Sequence, residues 1–305
     1  MVDVSVIIVN FNTKELVREC IDSIWKNEAQ SGLSLEIIVV DNGSNDGSKE
    51  MLVEDHRITL ITATENLGFG KANNLGVENA KGKFVLLLNS DTIVRNRAIK
   101  LFYDFFNENF DRLKIGVLGC VLSDIDGREL KSDIKFVSVR REMKSVVLKV
   151  RKKLFNIMDT RYCYSDRLCF SVEGVLGADM FLLRSLFNEV GGFDPDFFLY
   201  GEEVELQNRI KKRGLNQYLI RSPKIVHLEG ASGNKKNGRM SEATIYHQIR
   251  GKLLNVYKHS SVFNFILFSM FIFVTYAPYV ILNNRFSGQY KRLFLMLFKS
   301  LPSRW

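Results

Sequence analysis

The stretch KFVLLLNSDT, residues 83–92, decides the fold class. It is an apolar run typical of a buried strand, and it ends abruptly on Asn89, Ser90 and Asp91. In open α/β sheets, ligands bind beyond the carboxyl ends of the strands, where an acidic residue can hold a divalent cation against a diphosphate. A lone Asp after a strand can instead cap the helix expected near Asn96 or close a turn. The segments around this stretch must distinguish these interpretations.

Similar apolar runs, separated by helical patterns, precede this stretch. Val4–Asn10, Leu35–Asp41 and Ile58–Ala63 are predicted strands, and Phe84–Leu88 is the fourth. Lys71–Ala80 is a predicted helix, and another lies between the first two strands, where one face carries Leu16, Val17, Cys20, Ile21 and Ile24. Strands that alternate with helices predict an α/β fold with a mainly parallel central sheet flanked by helices.

The pattern becomes less regular further along the chain. Ile115–Val121 is a predicted strand, but Ser123–Phe170 loses its periodicity and is basic between Arg140 and Lys153. This charge run is either a solvated helix face or a surface that contacts lipid or a phosphate-bearing substrate. Order returns at Gly174–Leu183, and the later predictions are a helix ending at Gly214 and short strands at Gln217–Ile220 and Lys224–His227.

The composition suits a globular protein with a basic tail. The chain has 305 residues, of which 46% are hydrophobic, and a formal net charge of +9. Residues 1–242 contain 35 Lys and Arg against 34 Asp and Glu, whereas residues 243–305 contain eight basic residues and no acidic ones. The excess charge therefore lies almost wholly in the tail. We predict no nucleic-acid partner.

The tail carries two apolar segments. Val262–Leu282 has about the length that a bilayer-spanning helix needs, although Asn264, Ser269, Thr275 and Pro278 interrupt it. Between Phe286 and Leu301, apolar residues recur at helical spacing beside basic ones, which is typical of an interfacial helix. Basic charge without any acid favours anionic lipid. The alternative is a helix pair packed on the main domain or in a homodimer interface.

The start of the chain and its cysteines favour the cytosol. The chain begins with a strand pattern instead of a charged stretch followed by an apolar core, so no secretory signal is expected. The cysteines have no metal-ligand or redox spacing, and reduced structural roles are predicted for Cys20, Cys120, Cys163 and Cys169.

Polar side chains follow three of the predicted strands. Asn10 and Asn12 follow the first, Asp41 ends the second, and Asn89 and Asp91 follow the fourth. Because the carboxyl ends of parallel strands share one edge of a sheet, these residues are expected to converge. Such a cluster suits a nucleotide, with Asp41 bonding a base or ribose and Asp91 bridging a cation to the diphosphate.

The segment NLGFGKANN offers two glycines, Gly68 and Gly70, but the first strand has no glycine fingerprint after it. We interpret Gly68–Asn74 as the start of a helix. Its amides and Asn73 either line the nucleotide pocket or simply cap the helix.

Two further places carry groups suited to chemistry. Glu202, Glu203 and Glu205 lie at a predicted helix start, where acidic residues are normal dipole partners, but a carboxylate beside a cleft can also act as a general base. His227 ends the short strand PKIVH before a glycine-containing loop, and it is either a structural histidine or a metal ligand.

Taken in order, six segments resemble the family 2 glycosyltransferases, particularly their bacterial rhamnosyltransferase-like branch. They cover about residues 3–233 and are VSVIIVNFN, IIVVDNGSNDGS, NLGFGKANNLG, FVLLLNSDT, GGFDPDFFLYGEEVEL and VHLEGAS. The resemblance implies a GT-A fold for residues 1–240, with a nucleotide-binding half to about residue 122 and an acceptor half on one continuous sheet. Residues 241–305 are then a helical, membrane-associating tail.

The resemblance also implies roles for the donor side of the site. Asp41 would bind the base, in a pocket lined by Asn10 and Asn12. The Asp-x-Asp site of the family falls on the NSD segment, so Asn89 and Ser90 would contact the nucleotide. Asp91 would hold Mg²⁺ or Mn²⁺, and His227 would complete the binding of the metal or diphosphate. The first Asp of the family motif is Asn89 here.

On the acceptor side, the Glu-Asp motif of the family falls on Glu202 and Glu203. The second acid is the general base, so that role passes to Glu203, which is one methylene longer than the usual Asp. Asp179, in the segment GADMFLL, either faces the acceptor or is structural. The implied reaction is a single displacement that inverts the anomeric configuration, with the metal stabilising the departing nucleoside diphosphate.

The resemblance implies substrates and a location as well. Rhamnose from a dTDP donor is the leading candidate, followed by a sugar from a UDP donor. The acceptor would be a hydroxyl of a polyprenyl-diphosphate-linked glycan, in a bacterial surface polysaccharide such as O-antigen. The enzyme would then lie on the cytoplasmic face of the inner membrane, peripheral or singly anchored.

Two other functions remain as alternatives. A sugar-1-phosphate nucleotidyltransferase also needs an α/β nucleotide site and a metal, but it would require a glycine-rich phosphate loop after the first strand. A catalytically degenerate glycosyltransferase domain that serves as a membrane scaffold would accommodate Asn89 and Glu203 equally well.

Overall fold

The computed structural model describes residues 2–144, 164–228, 235–236 and 239–282. The chain divides into two units. Unit 1 consists of Met1–Phe136, Arg161–Phe198 and Glu202–Gly233, and unit 2 consists of Val137–Thr160, Leu199–Gly201 and Asn234–Trp305.

Unit 1 alternates strands with helices. Its strands are β1 (Val4–Asn10), β2 (Leu35–Asp41), β3 (Thr59–Thr62), β4 (Phe84–Asn89), β5 (Thr92–Arg95), β6 (Ile115–Cys120), β7 (Asp133–Ile134), β8 (Cys169–Val172), β9 (Gly174–Val175), β10 (Asp179–Leu183), β11 (Asn216–Ile220) and β12 (Lys224–His227). Its helices are α1 (Lys14–Glu28), α2 (Ser48–Val53), α3 (Phe69–Glu78), α4 (Ala98–Leu113), α5 (Arg184–Glu189) and α6 (Glu202–Lys212). The predicted α/β class is confirmed.

One eight-stranded sheet, in the order β3-β2-β1-β4-β10-β6-β11-β8, runs through unit 1. Strands β3, β2, β1 and β4 are parallel, and β10 then joins antiparallel to both β4 and β6. Strand β11 pairs parallel with β6, and the edge strand β8 is antiparallel to β11. The sheet is therefore mixed and mostly parallel, and it continues without a break from the first half of unit 1 into the second.

Apolar residues cover both faces of this sheet. On one face, α1 buries Val17, Cys20, Ile21 and Ile24, as the helical spacing predicts. The same core contains the ring of Phe181, whose centroid lies 5.0 Å from that of Phe84 and 5.5 Å from that of Phe102. Stacked pairs of this kind contribute about 0.5–1.5 kcal/mol beyond their buried area. This packing fixes β10 against β4.

Strands β5 and β12 form a separate two-stranded antiparallel ribbon. Thr92 lies opposite His227 in its register. Since β5 follows Asp91 directly and α4 begins only at Ala98, Asp91 lies in the turn between β4 and β5. Its interpretation as a helix cap is therefore wrong.

Unit 2 contains two paired helices, α7 (Glu242–His259) and α8 (Val262–Leu282), and a short hairpin of β13 (Lys235–Lys236) and β14 (Arg239–Met240). Residues 139–144 are also helical. Phe265, Phe268 and Ile272 of α8 are buried in one cluster with Ile249, Leu253 and Val256 of α7. The helices α7 and α8 therefore pack against each other through apolar side chains.

The three residues Leu199–Gly201 belong to unit 2, where Tyr200 and Gly201 contact α7. The Asn255 Nδ2 atom donates to the carbonyl oxygens of Gly201 at 2.9 Å and Gly251 at 3.0 Å. A Cβ atom at Gly251 would lie 2.0 Å from the Tyr200 carbonyl oxygen, so only glycine permits this approach. Tyr200 itself has a φ of +67°. Within unit 2, Tyr200 and Gly201 are thus held against α7.

The described part of the chain contains no helix that is both long and apolar enough to cross a membrane. The interfacial helix predicted after Phe286, most of the basic run after Arg140 and the glycine loop after His227 lie outside the described residues.

Candidate functional site

The polar residues at the strand ends meet at one edge of the sheet. Asn10 lies opposite Asp41 in the β1/β2 register, and Val9 lies opposite Asn89 in the β1/β4 register. Because β1 lies between β2 and β4, the ends of all three strands are level. The site therefore starts from a row of three adjacent strand ends.

Asp41 and Asn10 form the buried centre of this row, with 1% and 0% of their surfaces exposed. The Asn10 Nδ2 atom donates to Asp41 Oδ1 at 2.8 Å and to Ser44 Oγ at 3.0 Å, and the Ser44 amide donates to Asp41 Oδ2 at 3.2 Å. Burial of a carboxylate is tolerated when hydrogen bonds satisfy it, as they do here.

Asn12 shapes the loop above this centre. Its φ of +55° is left-handed, a conformation that Asn adopts more readily than most residues. Its amide donates to Ser44 Oγ at 3.0 Å, while its Oδ1 accepts from the Asn45 amide at 2.8 Å. The loops after β1 and β2 are thus joined by Asn12 and Ser44.

A buried hydroxyl pair connects this centre to the NSD segment. Thr13 Oγ1 lies 2.6 Å from Asn10 Oδ1 and 2.9 Å from Ser90 Oγ. Thr13 and Ser90 are 7% and 6% exposed. A continuous line of hydrogen bonds therefore runs from Asp41 through Asn10 and Thr13 to Ser90.

Asp91 and His227 lie together at the other end of this line. The β5/β12 ribbon places His227 Nε2 3.2 Å from Asp91 Oδ1, and the Leu228 amide donates to the Asp91 carbonyl oxygen at 2.9 Å. Both side chains are buried, with 3% of Asp91 and 8% of His227 exposed.

This pair suits a divalent cation that is completed by a ligand. No cluster of three or more His, Cys, Asp or Glu residues suited to a metal occurs within the described ranges. Mg²⁺ and related cations, however, are commonly held by one or two carboxylates together with substrate phosphates and water. The Asp91 carboxylate is a ligand type that suits Mg²⁺ or Mn²⁺, and the His227 imidazole beside it is a nitrogen donor within reach of the same ion.

Asn89 is tied to the site by its backbone. Its amide donates to the Ala178 carbonyl oxygen at 3.0 Å, and its own carbonyl oxygen accepts from Thr92 Oγ1 at 2.8 Å. The half-buried side chain thus extends from a fixed position at the end of β4.

The start of α6 brings a carboxylate to the same edge. The Glu203 side chain is half-buried and lies beside Gly177, where a Cβ atom would be 3.6 Å from Glu203 Cβ. Gly177 directly precedes Ala178, whose carbonyl oxygen accepts from Asn89. Glu203 therefore lies next to the end of β4.

The neighbouring glutamates have different surroundings. Glu202 is 3% exposed and its Cβ lies 3.7 Å from a Cβ placed on Gly70. Glu205 is 2% exposed and accepts from Arg209 at 2.5 to 2.9 Å. Among these three, Glu203 is the most accessible to a reacting group.

The NLGFG segment packs on the residues before α6. The Phe69 amide donates to the Phe198 carbonyl oxygen at 2.9 Å, and a Cβ atom on Gly68 would lie 2.2 Å from that oxygen. Asn42 also holds this segment by accepting from the Leu67 amide at 2.9 Å. Asn73 is buried in α3, where its Nδ2 donates to the Phe69 carbonyl oxygen at 3.0 Å.

Asp179 lies inside the sheet, with 0% of its surface exposed. Its Oδ2 accepts from the Cys120 amide at 2.6 Å, and no hydrogen-bond partner for Oδ1 occurs among the residues described. Burial raises the pKa of Asp179 to about 7, although the hydrogen bonds from Cys120 oppose this effect. Its predicted role at the acceptor stays a prediction.

Three contributing residues are absent from the sequence-based predictions: Thr13, Ser44 and Asn42. Ser44 and Asn42 lie in the segment NGSNDGS, residues 42–48, which is rich in turn-forming residues and follows Asp41 directly. Their position beside a predicted site residue was therefore a usable signal. Thr13 carried no such signal, because its contact with Ser90 joins residues 77 positions apart.

Comparison with known proteins identifies the family of the chain. The family model described as "Glycosyl transferase family 2" matches residues 5–165. Glycosyltransferase GlyG of Streptococcus pneumoniae serotype 4 (strain ATCC BAA-334 / TIGR4) is 32% identical over 117 residues, which are 37% of this chain and 38% of GlyG. The N-acetylglucosaminyl-diphospho-decaprenol L-rhamnosyltransferase of Mycobacterium tuberculosis (strain ATCC 25618 / H37Rv) is 27% identical over 209 residues, covering 63% of this chain and 66% of that enzyme.

Other curated relatives are much longer than this chain. The match covers 19% of the poly(ribitol-phosphate) beta-glucosyltransferase of Bacillus spizizenii (strain ATCC 23059 / NRRL B-14472 / W23), at 31% identity over 120 residues and 38% of this chain. The chain thus spans well under half the length of several relatives that it matches.

Two solved structures share the fold. The mannosyltransferase PcManGT from Pyrobaculum calidifontis, in complex with GDP-Man and Mn²⁺, has a TM-score of 0.56 at 19% identity, over 87% of this chain and 67% of that one. S. aureus TarS 1-349 in complex with UDP has a TM-score of 0.52 at 16% identity, over 83% of this chain and 65% of that one. These likenesses confirm the GT-A architecture.

We predict that Asp179→Asn removes a pH dependence of stability. The folded-state pKa of Asp179 is about 7, well above the value in an unfolded chain, so the folded protein holds this proton more tightly. The contribution of protonated Asp179 to the free energy of unfolding is complete below about pH 4. It is lost as the pH rises through about 7.

The measurement is the urea midpoint of unfolding across this pH window, without added divalent cations. The wild-type midpoint should fall relative to that of Asp179→Asn as the pH rises. Asp126→Asn, at an exposed Asp, is the matched control and should follow the wild type. Parallel curves for the wild type and Asp179→Asn would contradict the prediction.

Proposed function

The chain belongs to glycosyl transferase family 2, whose model matches residues 5–165, and we propose that it transfers a sugar from a nucleotide-sugar to a hydroxyl group. The observation that carries this proposal is the position of Glu203 next to the end of β4. Through Gly177 and Ala178, a potential base is located beside the NSD segment, where a diphosphate would bind.

The reaction requires one proton transfer and one displacement. Glu203 takes the proton of the acceptor hydroxyl as general base, and the resulting oxygen forms a bond with the anomeric carbon. The bond from that carbon to the diphosphate oxygen breaks on the opposite side, so the configuration inverts. The first turn of α6 favours an ionised Glu203, because a helix N-terminus stabilises negative charge.

The donor site follows from the strand ends. Asp41 accepts hydrogen bonds from the base or ribose, and Asn10 and Ser44 hold its carboxylate in place. Asn89 and Ser90 contact the diphosphate side, and Asp91 with His227 would hold Mg²⁺ or Mn²⁺. The chemistry supplied there would be neutralisation of the charge that develops on the leaving diphosphate.

A rhamnosyl donor and a lipid-linked acceptor are our specific proposals. They are supported by the mycobacterial L-rhamnosyltransferase, since its match extends over 209 residues and covers 63% of this chain. The name of that relative includes N-acetylglucosaminyl-diphospho-decaprenol, a sugar linked to a polyprenyl diphosphate. We propose that this chain likewise acts on a polyprenyl-diphosphate-linked glycan of a bacterial surface polysaccharide.

We predict that Glu203→Gln lowers turnover by about 10²- to 10⁴-fold, because the amide cannot accept the proton of the acceptor. Nucleoside diphosphate binding should survive, since Glu203 lies on the acceptor side of the site. Asp91→Ala should lose both turnover and the Mn²⁺ dependence of nucleotide binding. Sugar transfer and calorimetric binding measure the two effects.

Glu19→Gln, an exposed glutamate on α1, is the matched control and should retain full turnover. Glu202→Gln distinguishes the two adjacent acids, and it should lower turnover less than Glu203→Gln. A protein indifferent to both Glu203→Gln and Asp91→Ala would be a scaffold and not an enzyme.

A panel of donors tests the proposed sugar. We expect dTDP-rhamnose with Mn²⁺ to raise the thermal midpoint more than UDP-galactose, UDP-glucose or GDP-mannose do, because a ligand that binds only the folded state stabilises it in proportion to its affinity. Omission of Mn²⁺ should reduce the shift. If no nucleotide-sugar raises the midpoint under any metal condition, the proposed activity is wrong.

We also propose that the enzyme is peripheral to an anionic membrane on its cytoplasmic side. The supporting feature is the second apolar face of α8, opposite the buried one, where Phe263, Ile266, Met270 and Val274 have between 50% and 73% of their surfaces exposed. Residues 243–305 contain eight basic residues and no acidic ones, which complements anionic lipid.

We predict that the triple variant Phe263→Ser, Ile266→Ser, Met270→Ser loses about tenfold or more of its affinity for phosphatidylglycerol vesicles, because it removes apolar area that would enter the interface. Vesicle co-sedimentation measures the affinity. The matched control makes three equally exposed apolar residues of unit 1 polar, namely Val53→Ser, Ile125→Ser and Leu168→Ser. Equal losses in both variants, or equal wild-type binding to uncharged vesicles, would contradict this assignment.

A further inference from the structure

We infer that Thr13 is a positioning residue that holds the base-binding and diphosphate-binding ends of the nucleotide site in a fixed relation. This inference rests on the proposed function. The inference is based on one buried hydroxyl that contacts both ends: Thr13 Oγ1 lies 2.6 Å from Asn10 Oδ1 and 2.9 Å from Ser90 Oγ.

The hydroxyl of Thr13 does not make the capping hydrogen bond that is usual for a threonine at the start of a helix. Thr13 is the N-cap residue of α1, but its side chain makes no capping hydrogen bond. The amide of Lys14, the first residue of α1, donates to Asp46 Oδ2 at 2.9 Å. Since N-cap threonines usually bond an amide of the first turn, the Thr13 hydroxyl is diverted from the helix to the site.

Counting protons fixes the direction of each hydrogen bond. Asn10 Oδ1 can only accept, so the one proton of the Thr13 hydroxyl goes to it. Ser90 Oγ then donates its proton to Thr13 Oγ1. With Oδ1 occupied in this way, the Asn10 amide must present Nδ2 to Asp41 and Ser44, as it does.

Thr13 therefore specifies two orientations at once. On one side, it sets the face of Asn10 that bonds Asp41. On the other side, it fixes the rotamer of Ser90, the residue directly before Asp91. A nucleoside meets only the first side, whereas a nucleoside diphosphate must meet both. Loss of the hydroxyl should thus weaken the diphosphate form more than the nucleoside.

The test compares the binding of two ligands by the wild type and by its variants. Calorimetry measures the Kd of a nucleoside and of its diphosphate, uridine and UDP or thymidine and dTDP, in the presence of Mn²⁺. Thr13→Val removes the hydroxyl at nearly constant volume, and Thr13→Ser retains it. Thr59→Val, at an exposed threonine on β3, is the matched control.

We expect the ratio of the nucleoside Kd to the diphosphate Kd to fall about fivefold in Thr13→Val, the size of effect that one buried hydrogen bond produces. Thr13→Ser and Thr59→Val should keep the wild-type ratio. Thr13→Ala removes the same hydroxyl with a smaller side chain and should repeat the loss, and it carries the test if Thr13→Val does not fold.

Three outcomes would overturn the inference. The first is an unchanged ratio in both Thr13→Val and Thr13→Ala while the wild type binds the diphosphate, which leaves the proposed function intact. The second is an equal loss in Thr13→Ser, since the hydroxyl would then not be the cause. The third is the failure of the wild type to bind any nucleoside diphosphate, which overturns the proposed function together with the role of Thr13.

Discussion

The structure depends on the parallel pairing of β1 with both of its neighbours. The backbone hydrogen bonds on its two sides place Asn10 opposite Asp41 and Val9 opposite Asn89. A shift of one residue in either ladder would turn every side chain of a strand to the other face and would disrupt the close packing of the apolar residues on both faces. The same packing that stabilises the sheet therefore sets the spacing of the polar groups at its edge.

The sequence predicted the parts that follow from local patterns. Apolar runs and helical spacing identified the strands β1 to β4 and the helices α1 and α3, because each pattern is completed within about 15 residues. The convergence of Asn10, Asp41 and Asn89 followed from topology alone. These predictions needed no knowledge of which side chains touch.

The parts that could not be predicted are contacts between distant segments. The ribbon of β5 and β12 brings His227 to Asp91, although neither short strand has a sequence pattern that predicts its pairing partner. The antiparallel insertion of β10 between β4 and β6 places Asp179 inside the sheet. The Thr13 contact with Ser90 depends on the same long-range pairing, since it forms only after β1 and β4 are aligned.

The three residues Leu199–Gly201 have a consequence for how the chain can be divided. They pack within unit 2, while Phe198 before them and Glu202 after them pack within unit 1. A protein truncated near residue 234 would lack Gly251 and Asn255 of α7. These residues contact the Tyr200 carbonyl oxygen and Gly201. The tail is therefore not an exchangeable module, and recombination that replaces it must preserve Gly251 and Asn255 or change the turn along with them.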